Sequence, residues 1–186
     1  LALDANLEIV PVLNKVAFTR KCLDALRRNT PAGLYEVILW DNGSTDETQA
    51  FLQKQSAADP TVHYFRSEEN LGFVGGNNAA AQHARGEFLV LLNNDTEPQP
   101  GWLEALLQTV EADASVGAVG AKLIYPDGKL QEAGGIIFRD ASGWNYGRMQ
   151  DPRDPRFNFP REVDYCSAAC LLVRTALFRQ LGGFDV

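Results

Sequence analysis

Two wholly apolar runs, Val37–Trp40 and Phe88–Leu92, constrain the fold of this chain more than any other feature. A strand buried on both faces reads as a continuous apolar run, whereas a half-exposed strand alternates. Around these runs lie segments with helical spacing, so strands and helices alternate along the chain. That alternation predicts an α/β fold built on a mostly parallel sheet. In open sheets of this kind ligands bind beyond the carboxyl ends of the strands. Asp41 directly follows the first run, and Asp95 follows the second after Asn93 and Asn94. The two carboxylates are therefore expected at one edge of the sheet, sharing a cleft.

Glu8–Leu13 reads as the first strand, ended by Pro11 and the turn-prone Asn14. A helix follows, with Phe18, Cys22, Ala25 and Leu26 at helical spacing. Tyr35–Trp40 is the second strand, and Ser44 and Glu47 have the spacing of a capping box for a helix over about Asp46–Ala57. Val62–Phe65 is a short third strand. The glycine-rich loop Asn70–Gly76 opens into a small-residue helix, Asn77–Arg85, and Glu87–Leu92 is the fourth strand. Leu103, Leu106, Leu107 and Val110 form the apolar stripe of a further helix. Val116–Tyr125 and Gly135–Arg139 are strand-like, separated by the turn Pro126–Lys129. Asp140–Arg161 has no periodicity and reads as a loop, a candidate lid. The chain closes with a strand over Ala168–Val173, a helix from Thr175, and Gly182-Gly183-Phe184-Asp185.

A length of 186 residues suits one domain with a full core. A formal charge of −7 argues against a nucleic-acid partner, which would favour a basic face. The same charge would repel a diphosphate, unless a carboxylate-held divalent cation offsets it locally. No apolar stretch reaches the roughly 20 residues that span a bilayer. Leu1–Asn6 lacks the pattern of a secretion signal, so the cytosol is the expected compartment. Cys22, Cys166 and Cys170 form no disulfide framework and read as small buried side chains. His63 and His83 are isolated.

Asp41, Asn42, Gly43 and Ser44 leave a buried strand. A carboxylate and an amide there can bond a base edge or a ribose hydroxyl; the alternative is a plain Asn-Gly turn. Asp46 and Glu47 are explained as charges at a helix start. Gly72, Gly75 and Gly76 can let backbone approach a phosphate, although their spacing is not the dinucleotide fingerprint. Asn77 and Asn78 either add side-chain hydrogen bonds or cap the helix. Asp95 stands at the mouth of the sheet, with Thr96 and Glu97 adding oxygens. One carboxylate with substrate phosphates and water suffices for Mg2+ or Mn2+. The alternative is a cap or turn into the next segment.

The ordered set Val10–Asn14, Val37–Asp46, Asn70–Phe73, Gly76–Asn78, Leu91–Thr96 and Leu181–Asp185 resembles the family 2 glycosyltransferases of GT-A fold, particularly their rhamnosyltransferase-like branch. The resemblance runs over nearly the whole chain. It implies a Rossmann-like, mostly parallel sheet flanked by helices with a smaller antiparallel C-terminal part. It also implies a nucleotide-binding half over about 1–97 and an acceptor-side half over about 98–186. By the resemblance, Pro11, Val12 and Asn14 line the base, and Asp41, with Asn42 and Gly43, bonds base or ribose. Gly72, Phe73, Asn77 and Asn78 lie along the nucleotide. Asn93, Asn94 and Asp95 occupy the place of the family's Asp-x-Asp metal motif, Asp95 being the retained ligand of Mg2+ or Mn2+ and an asparagine standing in first place. Leu13 replaces a more usual tyrosine, with an effect expected on packing. The family's catalytic carboxylate usually follows the Gly-Gly-Phe-Asp segment, so the base is expected beyond Val186, in a chain truncated there; Asp164 and Asp185 are the weaker substitutes.

The implied activity is inverting transfer of a sugar from a UDP-, dTDP- or GDP-sugar to a hydroxyl of a glycan or lipid-linked acceptor. The implied place is the cytoplasm, with peripheral contact at the inner face of the membrane left open. Two rivals remain: a non-catalytic nucleotide-sugar-binding module, and a sugar nucleotidyltransferase. The last generally has a glycine-rich basic loop after its first strand, whereas Asn14–Thr19 contains no glycine.

Overall fold

The computed structural model describes residues 6–185, so the expectation about a leader over Leu1–Asn6 falls almost wholly outside it. Four strands, β1 (Asn6–Val12), β2 (Tyr35–Asp41), β3 (Val62–Arg66) and β4 (Phe88–Leu92), alternate with helices α1 (Val16–Asn29), α2 (Thr48–Ala58) and α3 (Gly72–Ala81). Then come α4 (Trp102–Ala112), β5 (Ala118–Gly120), β6 (Leu123–Ile124), β7 (Leu130–Glu132), β8 (Gly135–Ile137), β9 (Gly143–Asn145), β10 (Cys170–Arg174) and α5 (Thr175–Gln180). The main sheet has the order β3-β2-β1-β4-β10-β5. Its first four strands are parallel, and β10 runs antiparallel to both neighbours. β6 with β7 and β8 with β9 form two small antiparallel ribbons. The expected parallel sheet with an antiparallel C-terminal part is thus present.

The apolar run of β4 explains the layering. Phe88, Val90 and Leu92 face one core with Cys22, Leu23 and Leu26 of α1, Leu52 of α2 and Leu103, Leu106 and Val110 of α4. Leu89 and Leu91 face the other, with Ala80 and Ala81 of α3 and Phe178 of α5. Successive side chains of a strand point to opposite faces, so a strand covered on both sides has no place for a polar residue.

Several expected boundaries move, each for a local reason. The strand expected over 116–125 is cut into β5 and β6. Cys166 packs where Gly120 has no side chain, and Ala121 N–H bonds the Cys170 carbonyl as the chain leaves the sheet. The Ser44–Glu47 capping box does not form: α2 starts at Thr48, whose N–H is taken by Asp46 Oδ1 at 3.0 Å, while Ser44 Oγ is used elsewhere. The expected loop Asn70–Gly76 is mostly helix. Gly76 lets α3 lie against β2, because a Cβ there would meet the Asn42 side chain at 3.3 Å and Trp40 at 3.5 Å.

Residues 140–161 form no free loop. Tyr146 and Met149 pair by backbone with Gly134 and Leu130, and Gly143–Asn145 is β9. Phe157, in a short 3-10 turn, is buried against Leu130 and Gly147 and meets Tyr146 edge-on. Gly147 has φ 75°, and a Cβ on it would stand 2.5 Å from Leu130 Cδ2 and 2.6 Å from the Phe157 ring. Gly147→Ala is therefore expected to cost about 2 kcal/mol through backbone strain and overpacking. Urea denaturation reads this directly; an unchanged midpoint would mean the segment is not packed in this way.

Candidate functional site

The order of the sheet reverses between β1 and β4, which makes the gap past their carboxyl ends a topological switch point. The β1–β4 ladder stops at Ile9–Leu91, whereas β1 stays paired with β2 as far as Val12–Asp41. Pro11 helps this divergence. The Val12 carbonyl accepts from Asn42 N–H on the β2 side, so Pro11, one residue back, turns its ring nitrogen toward β4 with no hydrogen to donate. Beyond it opens a cleft of about 440 Å³, lined by Leu13, Asn14, Lys15 and Phe18 after β1 and by Asn94 and Asp95 after β4.

Asn14 and Lys15 both have φ 55°, a left-handed conformation that asparagine tolerates and lysine rarely adopts. The loop after β2 holds them there. Asn14 N–H donates to Ser44 Oγ at 2.8 Å, Thr45 N–H donates to Asn14 Oδ1 at 2.8 Å, and Lys15 N–H donates to Asp46 Oδ2 at 2.8 Å. Hydrogen bonding, first from Thr48, keeps the Asp46 carboxyl below its ordinary value despite the opposing effect of burial. A depressed acid stabilises the fold above its unfolded-state value and loses that contribution only as pH falls through the folded value. This clamp is therefore charged throughout the neutral range. Ser44 and Asp46, read from the sequence as helix-start residues, serve with Thr45 to shape the cleft wall.

Asp41 lies at the end of β2 with 0% exposure. Its Oδ1 accepts Ser44 N–H at 2.8 Å, and its Oδ2 accepts from Tyr64 Oη at 3.2 Å and from the Arg66 guanidinium. Arg66 also donates to the Ser44 carbonyl at 3.1 Å. Burial, and then the Asp41 charge, push the Tyr64 phenol above its ordinary value, so it stays a donor. The expected meeting of Asp41 and Asp95 in one cleft is only half realised. Asp41 ends β2 and Asp95 stands beyond β4 on the same edge, but Asp95 is exposed in the lining and Asp41 lies sealed between Ser44 and the β3 side chains Tyr64 and Arg66. Arg66, one residue's contact away from Asn14 through Ser44, is the partly exposed member of the buried pair.

The other sequence-derived residues divide clearly. Val12 is core and Pro11 half-buried, so that segment reaches the cleft through Leu13 and Asn14. Asn42 is buried and ties the β2 loop to the start of α3. It donates to Asn70 Oδ1 at 2.9 Å and the Gly72 carbonyl at 3.0 Å, and accepts Leu71 N–H at 2.9 Å. Gly43, at φ 82°, leaves no room for a Cβ, which would come within 3.2–3.3 Å of the Glu69–Asn70 backbone. Gly72 and Phe73 lie exposed in the first turn of α3. Asn77 bonds back to the Phe73 carbonyl at 2.8 Å, so it neither caps the helix nor leaves it. Asn78 grips the backbone N–H and carbonyl of Phe184 at 2.9 Å each and so fixes the Gly-Gly-Phe-Asp segment. Asn93 shapes the turn with its backbone, accepting from Thr96 N–H and Oγ1 at 3.1 and 2.7 Å. Asn94 donates to Thr19 Oγ1 at 2.9 Å. Asp164 accepts Ile137 N–H at 2.8 Å and braces the β8–β9 ribbon.

Lys15, Phe18, Tyr64 and Arg66 were not singled out by motif. Phe18 was read with the buried face of α1, yet it is 47% exposed, and Val16, Thr19, Leu23 and Leu26 take that face. The phase of those residues contains the signal. Leu13, expected to matter for packing, is 40% exposed in the cleft wall.

Among the described residues no group of three or more His, Cys, Asp or Glu could hold a metal unaided. Asp95 is the only acid in the cleft lining, and no donor among the described residues engages it. A carboxylate free in an open cleft fits a hard divalent cation whose remaining ligands come from substrate phosphates and water.

The fold is that of the GT-A glycosyltransferases. The mannosyltransferase PcManGT from Pyrobaculum calidifontis, solved in complex with GDP-Man and Mn2+, superposes with a TM-score of 0.70 at 22% identity, over 97% of this chain and 47% of its own. GalNAc-T7, solved with UDP, GalNAc and Mn2+, gives a TM-score of 0.73 at 17% identity, over 97% and 36%. The profile of glycosyl transferase family 2 matches residues 9–182, and the chain belongs to that family. The O-antigen biosynthesis protein RfbC of Myxococcus xanthus is 34% identical over 184 residues, 95% of this chain and 14% of that protein. An N-acetylglucosaminyl-diphospho-decaprenol L-rhamnosyltransferase of Mycobacterium tuberculosis is 30% identical over 175 residues, 80% of this chain and 55% of its own length. This chain thus spans only part of each relative. No helix among the described residues is long and apolar enough to cross a membrane.

Proposed function

We propose that the chain holds the donor site of an inverting glycosyltransferase, which moves a sugar from a UDP-, dTDP- or GDP-sugar to a hydroxyl of a glycan or lipid-linked acceptor. The observation that carries this is the cleft at the β1–β4 switch point, with the unengaged carboxylate of Asp95 in its lining. The donor's nucleotide end is assigned to the side of Asn14, which Ser44 connects to the Asp41–Arg66 pair, and its diphosphate to the space in front of Asp95. In the reaction an acceptor oxygen bonds the anomeric carbon as the bond from that carbon to the diphosphate oxygen breaks on the opposite face. The acceptor proton passes to a base. A divalent cation held by Asp95 and the diphosphate would offset charge on the leaving group. Leu13 and Phe18 add apolar surface to the wall of the cleft. A working place at the inner face of the cell membrane suits a lipid-linked acceptor.

The test uses the full-length protein with the three classes of donor, and glycan and lipid-linked acceptors. Transfer with the product's anomeric configuration opposite to the donor's is expected. Chelation is expected to lower the rate at least about tenfold, with recovery on adding Mn2+ or Mg2+. Unchanged rates in chelator would remove the cation from the scheme. Nucleotide binding with neither transfer nor donor hydrolysis would favour the non-catalytic module.

A further inference from the structure

We propose that Lys15 binds the diphosphate of the donor, as the fixed positive charge of the cleft, with Ser44 and Asp46 as its positioning residues; this rests on the sugar-transfer reading above. Three observations combine. Lys15 is the only cationic residue among those lining the cleft, in a protein of net charge −7. Lys15 and Asp95 line the same cleft with opposite charges yet form no ion pair. Such unclosed charges leave room between them for an anion on the lysine side and its counter-ion on the acid side. Lys15 also keeps its left-handed backbone at φ 55°, where glycine or asparagine would sit without strain. Side chains from the β2 loop hold both it and Asn14 in place. Strain that the surroundings over-determine in this way collects at ligand sites. The chemistry is also apt, since Asn93 carries no charge where the family pattern has an acid, and a fixed ammonium lessens dependence on a tightly held metal.

Calorimetric titration of the full-length protein with UDP, dTDP and GDP, each against its nucleoside, tests the inference. Lys15→Gln is expected to weaken diphosphate binding about ten- to a hundredfold, the range for loss of a charged hydrogen bond, while nucleoside binding stays unchanged. Lys15→Arg should restore most of the affinity, which a purely structural role would not predict. Lys15→Gly relieves the backbone, so it should bind the diphosphate as weakly as Lys15→Gln while melting no lower than the parent. Asp46→Ala should weaken the diphosphate by a smaller factor, through the loosened loop. Undiminished diphosphate affinity in Lys15→Gln, or equal losses for diphosphate and nucleoside, would overturn the inference and leave the sugar-transfer reading standing. Failure of the unmodified protein to bind any of the three diphosphates would overturn both.

Discussion

Asp95→Ala is expected to slow sugar transfer by about a hundred- to a thousandfold, the usual cost of deleting one group that stabilises charge in a transition state. The fold should not notice the change. Asp95 is exposed, and no donor among the described residues engages it, so its removal leaves nothing buried and unpaired. Surface substitutions of this kind stay within about 0.5 kcal/mol, or about 2 °C in melting temperature for a chain of this size. Transfer assays beside scanning calorimetry check both halves. Full activity in the variant would strike Asp95 from the mechanism. A large drop in melting temperature would instead show that it carries structure.

Asp41→Ala should do the reverse in calorimetry. Asp41 has 0% exposure and joins Ser44 N–H, Tyr64 and Arg66 in one cluster. Its loss strands a buried amide and a half-buried phenol, and leaves Arg66, whose side chain is 20% exposed, without its carboxylate partner. Breaking such a pair typically costs about 3–5 kcal/mol, and the partial exposure of Arg66 places this one at the lower end, about 3 kcal/mol. The melting temperature should fall by about 6–12 °C. Nucleotide binding should weaken as well, because Ser44 connects this cluster to Asn14. A melting temperature within 2 °C of the parent would show that the cluster is not holding the loops together.

The contrast between these two acids marks how far the sequence could be followed. Each follows an apolar run within three residues, and by pattern alone they look equivalent. A run such as Phe88–Leu92 says that a strand is covered on both faces, and the structure covers it with α1 and α4 on one side and α3 on the other. It does not say which way the next side chain turns. That depends on the neighbouring chain segments: the end of β3 sets Arg66 in register beside Asp41, whereas among the described residues no segment pairs a cation with Asp95. Asn42, Asn77 and Asn78 show the same limit. An asparagine beside a glycine-rich segment suits a ligand contact, but Asn78 spends both polar atoms on Phe184, 106 residues away. The packed segment 140–161 was illegible for a related reason, since its order comes from pairing with Leu130 and Gly134 rather than from a period of its own.

Local patterning, then, was enough for the sheet, its mostly parallel sense, the order of strands and helices, and the edge at which the cleft opens. Those follow from which residues must leave water and at what period, which a chain carries within itself. The assignment of Asp41 to a buried cluster, of Asp95 to the open cleft, and of Ser44 and Asp46 to holding Asn14 and Lys15 arose only when different strands and their loops met. A hydrogen bond between residues 31 apart, like that from Lys15 N–H to Asp46, leaves no periodic trace.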